Sequence, residues 1–578
     1  MRYVVVNLLA WVVAGSVVVF AVSRNGSVSD ARKETIKISN AGLQRAASAD
    51  STNTPAVPDE TEEREAAQAD RSEADPDSAG TSSSNPAAVA LNDSASYFLS
   101  QGDLKSAVAY LERALKLDDE YARAHYNLGI AYQKQNKMGD AIKQYKRAVE
   151  LRPFYYRPMY NLGVLYYSID SFQDALTWFK KAVAIRKSSQ SAPAYYNLGL
   201  VYKKLGDLKA AEASYNDALR LRPSYAEARY NLALLRMSDG KYKEAADDFE
   251  KAAGTGLEKA RLYKNLGVCC SRLGAPDRAV NAYRHALKLE ADDARAWFDL
   301  GGAFSELQQP DSAITAYHEA IKFDSTYFQA YFNLAHLYSQ TGSVDSALYY
   351  YRGAVRANPK YSKALYNMAM LYSDRQLDDS AASYYQKVVN LDPENRKALF
   401  NLGLSYGRAE KLPEAVQTYR ALIDQDPVHE KGLNNLGTSY MKLKEYDSAL
   451  VCFNRLVGLT HEAKAYYNRA MTYSELDSAD RARKDYRKAI DLDPKYAKAY
   501  HNLAVLEDEA SNSSEAIGLL IRAIELGEND WKSHWKLGQI YVKMGLKDKA
   551  LTEYALAAKA NPESAKFKRE YDDLFKTQ

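Results

Sequence analysis

The side chains best suited by type to do chemistry in this chain are eight histidines and three cysteines, and their spacing gives them no common task. His125, His285, His318, His336, His429, His461, His501 and His534 stand far apart and share no motif. Cys269 and Cys270 are adjacent and Cys452 is remote, so neither a CxxC pair nor a His/Cys metal spacing is present. They read as small buried hydrophobes. There is no Gly-rich loop with a phosphate-binding lysine. Catalysis needs a nucleophile, an acid–base pair or a metal held in one pocket, and nothing here converges on one. Neither an enzyme nor a bound cofactor is expected.

Two polar stripes do recur with regularity. Asparagine stands at Asn127, Asn161, Asn197, Asn231, Asn265, Asn333, Asn367, Asn401, Asn435, Asn468 and Asn502, with Asp299 where the twelfth would fall. Four residues before each anchor, one helical turn earlier, a basic residue is frequent: Arg261, Arg295, Lys363, Lys397, Lys431, Lys464 and Lys498, after Arg123 and Arg157. The residue just before the anchor is usually aromatic, as in Tyr126, Tyr366, Phe400 and Tyr467. An asparagine amide both donates to and accepts from a peptide unit, so a ladder of them can hold an extended polypeptide by its backbone. Asparagine costs a helix about 0.5 kcal/mol relative to alanine, so its persistence needs a cause. The other cause is structural, a bond to the adjacent helix. The basic stripe is either a solvated face or a contact for an anionic ligand, and in the second case it is salt-sensitive.

The elements that carry these stripes follow from the period. Asn127 to Asn161 is a step of 34 residues, and the same step runs along the chain with an insertion within Lys187–Ser191 and one shorter step before Asn468. Two residues after each anchor stands Gly or Ala, from Ala95 through Gly129 to Gly538, and fourteen residues after it stands alanine, from Ala107 to Ala550. An aromatic follows five residues after most anchors (Tyr132, Tyr166, Tyr202, Tyr338, Tyr372), and proline closes many units (Pro153, Pro223, Pro359, Pro393, Pro427, Pro494, Pro562). Apolar residues at three- and four-residue steps give each unit two amphipathic helices. The small residues mark a close approach that a larger side chain would overpack, and proline ends the second helix. One hairpin cannot bury its apolar face alone, so the units must stack.

This frame resembles the tetratricopeptide repeat family, in its 34-residue period and its L-G, Y, A, F/Y and P positions. The family's tryptophan near the start of the first helix is matched only by Trp297. The resemblance implies an all-α, right-handed superhelical solenoid of about fourteen helix-turn-helix units. Residues 88–564 divide into 88–121, 122–155, 156–191, 192–225, 226–259, 260–293, 294–327, 328–361, 362–395, 396–429, 430–462, 463–496, 497–530 and 531–564, with 565–578 as a capping helix. It also implies that first helices line a concave groove, where the asparagine ladder of related arrays grips peptide backbone. The family's clamp for acidic C-terminal tails needs a second Asn one turn after a Lys; Lys264 is followed there by Val268, so that function is not carried over.

Ahead of the units, Tyr3 to Val22 holds no charged residue; twenty helical residues reach about 30 Å, the apolar thickness of a bilayer. Residues 1–22 are expected to be a transmembrane signal-anchor or a signal peptide. Residues 23–87, rich in Ser, Ala, Asp and Glu and net acidic between Arg24 and Asp77, are expected to be a disordered linker. Arg24, Arg32, Lys33 and Lys37 favour a cytoplasmic body, whereas the short tail before the apolar run favours export. Export to a periplasmic or extracytoplasmic side is the expectation adopted. The function expected is a membrane-attached, non-enzymatic scaffold binding peptide segments of other proteins, acidic ones among them, in the groove. The alternative is an anionic polymer, glycan or single-stranded nucleic acid, on the basic and aromatic stripes; nucleic acid is not the partner expected.

Overall fold

The computed structural model describes residues 9–13, 16–20, 83–185, 188–527, 531–562 and 569 of the 578. From Pro86 to Ala560 it is all helix, 28 helices paired as 14 hairpins, apart from a single 3-10 turn at Ser189–Ser191. Each hairpin is an antiparallel pair, such as Arg396–Arg408 with Leu412–Gln425, and each second helix packs on the next first helix. The hairpins gather into two compact units, Met1–Phe323 and Asp324–Gln578.

The repeated residues explain the hairpin. The alanines fourteen residues after each anchor, Ala107 through Ala550, are wholly buried where the two helices cross. Where the residue two after the anchor is glycine, it lies under a ring from the second helix. A Cβ added at Gly403 would sit 2.7 Å from Tyr419 Cε1, and one at Gly437 2.7 Å from Phe453 Cε1. The turn between the helices needs one left-handed residue, nine after the anchor in every repeat. Glycine takes it at Gly102, Gly206, Gly240, Gly274, Gly342 and Gly545. Elsewhere Asn136, Asp170, Gln308, Gln376, Glu410, Lys444, Asp477 and Ser511 take it with φ of 53–66°, at about 1–2 kcal/mol each for the non-glycine residues.

Within each unit the first helices lie on the inner side of the stack. In the second unit, Arg396–Arg408 touches Glu430–Lys442, which in turn touches Ala463–Glu475; no pair of second helices approaches to the same degree among the described residues.

The apolar run near the N-terminus differs from the expected helix in the part that is described. Leu9–Val13 pairs antiparallel with Ser16–Phe20, Leu9 opposite Phe20. A two-stranded ribbon of this length is marginal in water without a partner surface. No helix among the described residues is long and apolar enough to cross a membrane. The remainder of residues 1–22, almost all of the linker 23–87 and nearly all of the capping segment 565–578 lie outside the described residues.

Candidate polypeptide-binding face

The asparagines occupy the middle of the first helices, and none is exposed. Their amides reach across the repeat boundary. Asn197 Nδ2 donates to Tyr160 Oη at 3.1 Å, Asn231 to Tyr196 at 3.2 Å, Asn265 to Tyr230 at 3.5 Å and Asn401 to Tyr366 at 2.8 Å. Here the acceptor is the residue just before the preceding anchor. In other repeats it is a ring on the preceding second helix, eighteen residues after that anchor. Asn161 donates to Tyr145 at 3.2 Å, Asn367 to Tyr351 at 3.0 Å and Asn435 to Tyr419 at 3.1 Å. Asn502 is shared between Tyr467 and Tyr486 at 3.1 and 3.4 Å. Burial pushes the hydroxyls of Tyr419 and Tyr486 up to about 12, against the asparagine bonds that lower them, so both stay protonated at neutral pH.

The two acceptor positions compensate for one another. Where the ring on the second helix is Phe179 or Phe249, the first helix offers Tyr160 or Tyr230. Where the first helix carries Phe332 or Phe400, the second offers Tyr351 or Tyr419. Repeats with neither tyrosine supply an amide oxygen instead: Asn127 donates to Asn92 Oδ1 and Asn468 to Asn434 Oδ1, both at 2.8 Å. The exceptional anchors are held differently. Lys264, before the anchor that precedes Asp299, pairs with Asp293 and Glu290, and Lys536 ion-pairs at 2.8 Å with Asp508 of its preceding repeat, at neither of the two acceptor positions. Asp299 is raised by burial, against the Arg295 guanidinium, whose Nε donates to both of its oxygens at 2.9 and 3.1 Å. The tyrosine hydroxyls were the functional atoms missed from sequence; the pattern of Phe exchanging with Tyr at two linked positions was the available signal.

The expected site residues divide between the units. In the first unit, Asn197 and Asn231 are 0% exposed, and Leu200 and Leu234, one turn along the same face, are buried. Arg295 is engaged with Asp299 and stacked over Phe298, and Arg261 is half-buried. In the second unit Asn333, Asn367, Asn401, Asn435, Asn468 and Asn502 are half-buried, and Met370, one turn beyond Asn367, is 43% exposed. Lys363, Lys397, Lys431, Lys464 and Lys498 are all exposed and form no ion pair among the described residues. Asn161 and Asn265 of the first unit are half-buried as well, so what sets the second unit apart is its exposed lysines, without an ion pair among the described residues, one turn from half-buried amides.

The aromatic stripe is committed to packing. Tyr366 packs on Tyr385 at 5.4 Å, Phe400 on Tyr419 and His429, and Tyr467 on Tyr486 and Tyr496. Cys269, Cys270 and Cys452 are buried free thiols, raised by burial, Cys269 to about 12 and Cys452 to about 11. No group of metal-ligating side chains is found among the described residues.

Family models described as "Tetratricopeptide repeat" match residues 92–156, 196–261 and 366–430, 155–224, 485–518 and single repeats at 260–293, 328–361, 431–460, 463–496 and 532–564. One described as "TPR repeat" matches 303–342. The chain belongs to the tetratricopeptide repeat family. No curated protein matches this TPR chain. Among solved structures it is similar to YrrB, described as a TPR protein with an unusual peptide-binding site, at 28% identity and a TM-score of 0.31, over 32% of this chain and 95% of that one. It is also similar to MamA (24% identity, TM-score 0.27, 28% of this chain and 97% of that one) and to yeast Tom70 (16%, 0.29, 82% and 99%).

Proposed function

We propose that this TPR array is a non-enzymatic scaffold that holds extended segments of partner proteins on the first helices of its second unit. One observation carries the reading. Asn367, Asn401 and Asn468 each spend one N–H on the preceding repeat and Asn502 donates to two of its hydroxyls, while the Oδ1 atoms of all four have no partner among the described residues. An amide oxygen so placed accepts a backbone N–H from a strand laid across it, with little dependence on side-chain sequence. The same residue then has two jobs, stapling the array and presenting a carbonyl.

These jobs can be separated. Asn401→Ala removes both; Tyr366→Phe removes the staple and leaves the carbonyl. Binding of a panel of extended peptides to the full-length protein is the readout. Weaker binding in Asn401→Ala with binding retained in Tyr366→Phe supports the reading, and equal losses reduce the ladder to a structural device.

Membrane attachment through Tyr3–Val22, with the repeats exported, is part of the same proposal. Its support is the twenty-residue uncharged run. Retention in the membrane pellet after alkaline extraction, together with digestion of the repeats by protease added from outside, is the expected result. Release by alkali or protection from protease counts against it.

A further inference from the structure

Resting on that reading, we propose that the segment held by the second unit is an acidic peptide in polyproline II conformation, with a carboxylate at every third residue. Lys363, Lys397, Lys431, Lys464 and Lys498 occupy one structural position in five successive repeats, each exposed and without an ion-pair partner among the described residues. The helices bearing Lys397, Lys431 and Lys464 touch in sequence, so these ammonium groups form a row rather than scattered charges. Packed helix axes lie about 8–10 Å apart, which sets the order of the step from one lysine to the next.

Few backbone conformations match that step. A polyproline II helix has three residues per turn and rises about 3.1 Å per residue, so every third side chain returns to one face after about 9 Å. A β-strand returns to one face after about 6.7 Å or about 13 Å, on either side of the spacing. The polyproline II backbone also keeps its N–H groups free of internal bonds, available to the Oδ1 atoms of Asn367, Asn401 and Asn468 one turn along each helix. The charge sign follows from the unpaired lysines. Single-stranded nucleic acid would meet the same charges but gains its affinity by stacking bases on rings. Tyr366, Phe400 and Tyr467, which flank the lysines, are packed against other rings of the array.

The test uses the full-length protein and labelled probes in fluorescence anisotropy. The probes are (Glu-Ser-Pro)5, a peptide of the same composition with its glutamates in one block, (Gln-Ser-Pro)5 and a fifteen-residue oligo-dT. The periodic peptide is expected to bind about fivefold more tightly than the blocked one. Each of Lys397→Gln, Lys431→Gln and Lys464→Gln should weaken it about threefold, and Lys442→Gln, an exposed lysine at the end of the same helix as Lys431, should not. Equal binding of periodic and blocked peptides overturns the register, and tighter binding of oligo-dT overturns the ligand class. If only the neutral peptide binds, and binding is lost in Asn401→Ala but kept in Tyr366→Phe, the acidic inference fails while the scaffold reading stands. If no peptide binds, both fail.

Discussion

Asn401 donates its amide N–H to the hydroxyl of Tyr366 at 2.8 Å, across the boundary between two repeats and at a separation of 35 residues. Tyr366→Phe keeps the ring packed on Tyr385 and leaves the Asn401 N–H without its acceptor. The expected cost is about 1 kcal/mol, since a half-buried donor loses its partner. Hydrogen exchange of helix Arg396–Arg408 reports it locally, where a global midpoint would average over the array. In a double-mutant cycle with Asn401→Ala the two losses should fall short of additive by about 0.5–1 kcal/mol. Strict additivity would mean the bond contributes nothing.

Gly403 lies beneath the ring of Tyr419, with no room for a Cβ unless the ring shifts. Gly403→Ala should destabilise by about 1–3 kcal/mol through overpacking. Repeat 497–530 carries Ala504 with Leu520 at the corresponding positions. Gly403→Ala combined with Tyr419→Leu should therefore cost less than the sum of the two single changes, as measured by thermal unfolding.

Lys444 holds a left-handed turn at φ 61°. Lys444→Gly relieves that strain, about 1–2 kcal/mol, against the greater freedom glycine has when unfolded, about 0.5–1 kcal/mol. A net gain of about 0.5–1 kcal/mol is expected in denaturant unfolding. A loss would show that the lysine side chain contributes more than the turn costs it.

Asp508 and Asp299 should respond to acid in opposite senses. Burial raises the Asp508 carboxyl, but the hydrogen bonds and charges of Lys536 and Lys543 outweigh it and hold it below the usual range. Its contribution is complete above the unfolded value, about 3.9, and is lost as pH falls through the depressed folded value. Asp508→Asn should cost about 3 kcal/mol at pH 7, and the difference from the parent should close below about pH 4. Asp299, raised by burial, carries a penalty at neutral pH that disappears as acid protonates it. Asp299→Asn should stabilise at pH 7, with a gain that shrinks toward about pH 4. A pH-independent difference in either variant contradicts the assignment.

The repeat frame was legible because it is local. Apolar steps of three and four, small residues at the helix crossing and prolines at unit ends each report on their own hairpin. The left-handed turn residue was less legible, since Glu410, Gln376 and Lys444 are ordinary helix formers that hold φ > 0 only because the hairpin around them requires it. The asparagine ladder was visible as a stripe but not as a staple. Its acceptor lies in another repeat and alternates between two helices, and for packing alone Phe400 and Tyr366 are interchangeable. Only the hydroxyl distinguishes them. The full burial of Asn197 beside the half-burial of Asn401 was not legible at all, because the two share the same motif position and differ only in what surrounds them.

The compensation between the two acceptor positions limits how the array can be cut and rejoined. Excising 430–462 would set Asn468 against Tyr419, and the splice would still find a hydroxyl. Excising 497–530 would instead deprive Lys536 of Asp508 and face it with the hydroxyls of Tyr467 and Tyr486, leaving a cation without its counter-charge. A new Asn-anchored unit placed directly after 497–530 would meet His501 and Leu520, which offer neither a hydroxyl nor an amide oxygen. Repeats joined by the asparagine staple are interchangeable on this ground, whereas the junction after 497–530 is keyed by Asp508 to a lysine anchor, and an asparagine-anchored successor there requires a different lock.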